Sequence, residues 1–289
     1  MNGVLIIDKP DGWTSMDVCA KLRGVFHEKR VGHGGTLDPM ATGVLPVFLG
    51  RATRAVEYAT DSDKEYIAGI KLGVITNTQD TTGEILEEHP VTADRAALEA
   101  ILPRFTGELD QIPPMFSAIK KDGKKLYELA RKGVEVERKP RHIVIKEMEI
   151  TNCIDNSTYE LRVLCSKGTY VRTLCHDIGA ALGCGAAMCS LRRSMAAGYT
   201  LNDAVTLEQV MEAADPAALV RPVDSCFAEY PAVQIEGKNL FKAKNGNPFP
   251  WDGPEDVYRV YSTAGDFLLL GQCKDGMMST IKSFFEVTG

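Results

Sequence analysis

One carboxylate stands apart in this chain. In GHGGTLDPMATGVLPVFLG, residues 32–50, Asp38 is the only acid, and glycine, threonine and proline surround it. An acid that serves solubility usually sits among other charges. Pro39 biases Asp38 toward an extended backbone, while Gly34 and Gly35 let another backbone approach without a Cβ in the way. A solitary carboxylate in such a loop can act as a nucleophile or a base, or can close an Asx turn. Three other side chains could join it. Arg172, in KGTYVRTLCHDIG, falls near a helix start and off the apolar stripe, so it can point at a neighbouring site. Tyr66 opens an apolar row of period two, which by itself describes a core aromatic, and His33 stands between Gly32 and Gly34.

The rest of the composition bounds what these residues can be part of. The chain has 289 residues, 44% hydrophobic and 25% charged, which suffices for one large domain and a small one. The apolar run Val4 to Ile7 is too short for a membrane span and lacks the basic flank of a signal peptide, so the expectation is a cytoplasmic protein. Its eight cysteines, spread from Cys19 to Cys273, then read as reduced core residues. Cys175, His176, Cys184 and Cys189 form the one cluster worth testing for zinc, but it has no C-x-x-C pair, and no metal is expected.

Net charge is −6, which at first argues against a nucleic-acid partner, but the charge is segregated. Between Lys120 and Lys146 ten Lys or Arg face four acids, and between Asp80 and Asp110 eight acids face two arginines. A basic run can be a solvated helix face or a phosphate-tracking surface.

The elements that must position these residues follow from periodicity. GVLIIDKP is a short buried strand, and in the helix after it Val18, Leu22, Val25 and Phe26 share one face, with Thr14 or Ser15 as cap. VLPVFLG is a second strand, and KEYIAGIKLGV a third, with Tyr66, Ala68, Ile70 and Leu72 on one side. TADRAALEAILPRF is helical, with Leu98, Ile101, Leu102 and Phe105 on its stripe. The basic segment, predicted as a loop and a short helix stopped at Gly133, is an excursion between sheet strands, since RHIVIKEMEI and TYELRVLCS resume the sheet. A helix after Tyr170 buries Val171, Leu174, Cys175, Ile178 and Leu182; LRRSMAAGYTL is another strand, and Thr206 to Gln209 matches a capping box. Beyond Asp224 short strands and Gly/Pro turns, as in AVQIEG, VYRVYSTAGDFLLLGQCKDG and STIKSFFEV, predict a small β-barrel or sandwich.

Six blocks in order, LIIDKPDGWTS, GHGGTLDPMATGVLPVFLGRATR, KEYIAGIKLG, QIPPMFSAIKKDGKKLYELARKG, SKGTYVRTLCHDIG and LRRSMAAGYTL, resemble the bacterial tRNA pseudouridine synthases of the TruB type, from about Val4 to Thr206. Six ordered blocks are far more specific than a lone G-G-x-L-D-P. The tail is similar to that family's PUA-like RNA-binding module, although NPFPWDGPEDVYRVY aligns poorly. The resemblance implies an α+β (mixed α/β) fold around a largely antiparallel sheet: a catalytic domain over 1–225, a basic thumb-like insertion at about 113–141 and an all-β PUA-like module over 226–289. It further implies isomerisation of uridine 55 in the T loop of tRNA, with no cofactor and no metal.

Residue by residue, the resemblance makes Asp38 the catalytic acid, ionised and acting at C1′, on the base or at C2′, three routes that residue types alone leave open. Arg172 matches the arginine that pairs with it, and Tyr66 the tyrosine that stacks on the target base and exchanges its proton. His33 matches a histidine proposed to fill the space of flipped bases, Tyr170 and Leu191 match pocket-lining positions, and Lys9 matches a lysine near the site that also could hold the Asp38 loop. Lys120, Lys121, Lys124, Lys125, Arg131 and Lys132 fall on the implied thumb, which grips the T arm through phosphates. A non-catalytic RNA-binding or tRNA-folding protein on the same scaffold is the alternative, and loss of Asp38 or Arg172 would have favoured it. An aspartate-based glycoside hydrolase needs a second carboxylate, and none occurs in the Asp38 loop; a carboxylate nearby would raise the pKa of Asp38. A guide-RNA-dependent relative fits less well than a stand-alone enzyme. The expected state is a monomer that needs no protein partner.

Overall fold

The computed structural model describes residues 1–121 and 123–285. Chain order and apolar alternation build one sheet first. Strand β1 (Gly3–Lys9) and helix α1 (Ser15–Phe26) lead to β2 (Val31–His33), and β3 (Thr42–Leu49) pairs antiparallel with both strands. The cap of α1 is Thr14, in a capping box with Asp17; Val18 and Leu22 are buried, whereas Val25 and Phe26 are half-buried. Helix α2 (Val56–Asp61) then turns the chain into β4 (Lys64–Leu72), whose row Tyr66, Ala68, Ile70 and Leu72 is buried as its period predicts.

A hairpin, β5 (Val74–Thr76) and β6 (Ile85–Glu88), stands off the main sheet, and α3 (Arg95–Ile101) follows it. The predicted helix there is shorter than its stripe: Pro103 removes a helical donor, and residues 102–105 form a 3-10 turn. Strand β7 (Gly107–Gln111) lies beside β10 (Arg141–Cys153) in the sheet, so the basic segment projects between adjacent strands. It consists of a minimal hairpin, β8 (Lys120–Lys121) and β9 (Lys124–Lys125), and a short helix α4 (Leu126–Ala130), anchored by buried Leu126. Asp122, counted above among its acids, lies outside the described residues.

Strand β11 (Thr158–Cys165), helix α5 (Val171–Leu182), β12 (Ala186–Ala196) and β13 (Tyr199–Thr200) complete the sheet. Its main path runs β1-β3-β12-β4-β11-β10-β7, with β2 and β13 attached. All pairs are antiparallel except β12 with β3, where Arg192 faces Thr42 and Arg193 faces Gly43. Helix α6 (Leu207–Glu212) begins with the expected Thr206–Gln209 capping box.

The tail forms a five-stranded sheet, ordered β14 (Ala232–Ile235), β16 (Val257–Ser262), β17 (Phe267–Lys274), β18 (Met277–Ser283) and β15 (Phe249–Pro250). It also carries a helix that the strand pattern had not signalled, α7 (Gly237–Lys244). The strand read as STIKSFFEV ends at Ser283, and its residues 286 and 287 lie outside the described ones. Phe227, Leu270 and Phe284 share an apolar cluster with Val4, Val44 and Phe48, so the tail packs directly on β1 and β3. No helix among the described residues is long and apolar enough to cross a membrane.

Candidate active site

The Asp38 loop joins β2 to β3 and is held from below by three neighbours. The buried Ser15 hydroxyl accepts a hydrogen bond from the Leu37 amide, Gly12 N–H donates to the Pro39 carbonyl, and Lys9 Nζ donates to that same carbonyl at 3.1 Å. Lys9 is fully buried, and its ammonium also donates to the Pro10 and Trp13 carbonyls. All three of its N–H bonds are therefore committed, so Lys9 braces the loop, the second of the two roles its motif suggested. Burial lowers its pKa.

The protein's own side chains come close to the two glycines. A Cβ on Gly34 would lie 2.6 Å from the Ala59 side chain of α2, and Gly35, at φ +108°, lies against the Arg193 guanidinium. This packing presents Asp38 at the surface of a fixed loop, with its side chain 39% exposed.

Arg172 approaches from the first turn of α5. The start of that helix is fixed by Gln111, whose side chain accepts from the Tyr170 N–H at 2.8 Å and donates to its carbonyl at 3.0 Å. Arg172 points at the Asp38 loop, as its position off the stripe allowed, and is buried beneath the hairpin and the base of the basic insertion. Its Nε lies 3.0 Å from Asp38 Oδ2, and its other nitrogens donate to the carbonyls of Thr78, at 3.0 Å, and Phe116, at 2.8 Å. One guanidinium thus ties the loop, the hairpin and the insertion together.

The expectation of a carboxylate with no acidic neighbour is corrected here. Asp80, the first of the eight acids counted between Asp80 and Asp110, is buried in the turn between β5 and β6, with Oδ2 3.5 Å from Arg172. Its Oδ1 accepts from the Thr78 hydroxyl, the Thr82 amide and the Thr82 hydroxyl. Arg172 sits between the two carboxylates and offsets their mutual repulsion. Asp80 is committed to these partners and unavailable as an acid or base, whereas Asp38 Oδ1 has no hydrogen-bond partner among the described residues. The threonines flanking Asp80 in TNTQDTTG were the available signal, since they mark a side-chain-capped turn.

Tyr66 and Leu191 come from adjacent strands of the same sheet and are both buried. Burial raises the pKa of the Tyr66 hydroxyl, opposed by the charge of the Arg193 guanidinium. Tyr170, half-buried at the start of α5, has its pKa raised by burial. His33 closes β2; burial lowers its pKa, and its Nδ1 is buried without a hydrogen-bond partner among the described residues. Arg193 went unnoticed in the sequence, although it shares the inward parity of Leu191 two residues earlier.

The basic insertion keeps its charges apart from this cluster. Lys120, Lys121, Lys124, Arg131 and Lys132 are exposed and Lys125 is half-buried, with Lys125 and Arg131 both stacked against the Tyr127 ring at 5.3 and 5.4 Å. Among the described residues no group of three or more His, Cys, Asp or Glu side chains is placed to hold a metal. Cys175 is fully buried, and burial drives its thiol pKa far upward, away from the thiolate that metal ligation needs.

Comparison with known proteins places the chain in a family. Residues 23–171 match the TruB family pseudouridylate synthase (N terminal domain), and residues 172–228 match the tRNA pseudouridylate synthase B C-terminal domain. The tRNA pseudouridine synthase B of Azoarcus sp. (strain BH72) is 43% identical, over 100% of this chain and 97% of that protein. The protein of the same name from Clostridium kluyveri is 39% identical, over 98% of this chain and all of its own length. In the crystal structure of a Cbf5-Nop10-Gar1 complex, one chain superimposes with a TM-score of 0.73 at 25% identity, covering 98% of this chain and 85% of that one. The chain belongs to the TruB family of pseudouridylate synthases.

Proposed function

We propose that this protein isomerises uridine 55, in the T loop of tRNA, to pseudouridine, with Asp38 as the catalytic carboxylate. The observation that carries the reading is the Arg172–Asp38 ion pair: buried Arg172 holds one oxygen of Asp38 at 3.0 Å and leaves the other unengaged. The reaction breaks the bond from N1 to C1′, turns the uracil and joins C5 to C1′. N1 gains a proton and C5 loses one, so substrate and product are isomers and no redox partner is required. Asp38 acts on the sugar or the base as nucleophile or as proton acceptor.

A uridine inside a folded loop must be flipped out before any side chain reaches it. Tyr66 offers a ring for the extruded base, an interaction of about 1–3 kcal/mol. Leu191 and Tyr170 line the pocket, and His33, neutral because it is buried, takes up the vacated space. The exposed cations of residues 113–141 contact phosphates, giving affinity that depends on salt more than on sequence. Recognition of the stem-loop is then mostly by shape. The supporting unit is a catalytic body over 1–225 with a small RNA-binding module after it, acting in the cytoplasm as a monomer without a protein partner.

Incubation with a T-arm stem-loop tritiated at uridine C5 tests this. Release of tritium from the stem-loop, and none when position 55 is cytidine, is the expected result. Binding without release would support instead a scaffold that only binds and folds tRNA.

A further inference from the structure

Beneath the Asp38 loop two stretches of backbone pass each other in opposite directions. Gly12 N–H donates to the Pro39 carbonyl at 3.0 Å, and further along the Ser15 hydroxyl accepts from the Leu37 amide at 2.9 Å. Lys9 adds a third tie, because its ammonium donates to the Trp13 carbonyl at 2.6 Å and to the Pro39 carbonyl at 3.1 Å. Residues on either side of Trp13 are thus bonded to residues on either side of Asp38, and Trp13 falls opposite the carboxylate. Trp13 is 36% exposed, and Met16, one helical turn further on, is exposed as well.

Local structure accounts for the turn but not for the indole. Gly12, at φ +78°, takes the left-handed conformation that brings the chain round to α1, and Thr14 caps that helix. An apolar residue just before such a cap can staple onto the fourth helical residue, here Val18. A smaller apolar side chain would serve as a staple without leaving an aromatic surface in water. Charge decides what can meet that surface. Between residues 10 and 20 the only charged side chains are Asp11 and Asp17, both exposed, and Asp38 lies across from them. These carboxylates repel phosphates, so RNA that reaches this rim must present an uncharged face. In an unpaired nucleotide that face is the base, and every base has a π-face that can stack on an aromatic ring.

We propose that Trp13 is a second stacking platform, which receives an unpaired base next to the target uridine while the uridine itself enters toward Asp38. This rests on the function proposed above, and it concerns a different nucleotide from the one that Tyr66 receives. Because Trp13 and Asp38 are held opposite each other by backbone hydrogen bonds and one buried ammonium, a base stacked on the indole keeps the strand in register with the carboxylate.

The chain has two tryptophans, so a Trp251→Phe variant reports on Trp13 by its own fluorescence. In that variant the T-arm stem-loop should quench the emission, and one of two stem-loops, abasic at position 54 or abasic at position 56, should fail to do so. Trp13→Ala should weaken Kd for the intact stem-loop by about 5- to 150-fold. For the abasic stem-loop that fails to quench, the same substitution should matter by less than about threefold, because the base it serves is gone. Trp13→Phe, which keeps a ring, should recover most of the affinity. A quench that survives both vacancies, or an equal loss of affinity for intact and abasic stem-loops, would overturn the proposal and leave Trp13 as a staple of α1. If Trp13→Ala shows no cooperative unfolding transition, the fluorescence comparison decides alone, since it is made on a chain that keeps Trp13. Pseudouridine formation by the unaltered chain on the intact stem-loop separates this inference from the function it rests on. Product without a quench contradicts the stacking platform alone, whereas a base-dependent quench without product contradicts the proposed function and leaves the platform standing.

Discussion

Two sets of cations divide this molecule. Lys9, Lys64, Arg172 and Arg193 are buried around the Asp38 loop, and their donors end on carbonyls or carboxylates of the protein. Lys120, Lys121, Lys124, Arg131 and Lys132 are exposed on the insertion, where few groups of the protein claim them. Identical side-chain chemistry is spent in the first case on holding geometry and in the second on attracting a polyanion. A buried guanidinium with fixed partners contributes a field that salt does not screen, while an exposed ammonium contributes affinity that salt removes.

Substitutions on the two sides should therefore fail in different ways. Arg172→Met is expected to be the most damaging: it strands buried Asp80, costing about 3–5 kcal/mol of stability by denaturant unfolding, and leaves Asp38 unpaired. Asp80→Asn keeps the shape of the turn but loses a charge-assisted contact. It should slow single-turnover product formation by about 10- to 100-fold, equivalent to 1.5–3 kcal/mol, with Kd for the stem-loop nearly unchanged. On the exposed side, Lys120→Gln, Lys121→Gln and Lys124→Gln combined should leave the saturated rate intact. The slope of log K against log salt should become shallower by about 2, at roughly 0.7 per lost phosphate contact. A lowered rate at saturation would break the division between the two sets.

The smallest expected effect concerns His33. Its folded-state pKa lies below the ordinary value of 6.5 because it is buried. As pH falls through and below 6.5 the unfolded chain takes up a proton before the folded one, so stability falls with acidification and recovers as pH rises. Chemical denaturation across that window should show this slope, and His33→Gln should flatten it.

The division was only half legible in the sequence. Asp38 could be singled out because its loop holds no other charge, and the exposed insertion because its basic residues are contiguous. Tyr66 could be placed on a buried row by period alone, though not assigned to a base without the family motifs. Asp80 was hidden because charge counting averages over a run, and only the fold turns one acid of eight inward to face Arg172, 92 residues further along the chain. Arg193 was hidden beside Arg192: the pair looks like one basic patch, yet strand alternation sends Arg193 into the core and leaves Arg192 half-exposed, paired with Asp8. Helix α7 was lost among strand-like neighbours, because GKNLFKAK offers barely two turns of period.

The central claim is that Asp38 performs the chemistry while the buried cations hold it and the exposed ones bind RNA. Its most direct test compares the unaltered protein with Asp38→Asn on the C5-tritiated stem-loop, measuring tritium release and Kd on the same preparations. The account predicts release from the unaltered protein, a loss of at least about a thousandfold in the variant, and Kd values within a few-fold of each other. Release by Asp38→Asn at a comparable rate would contradict it.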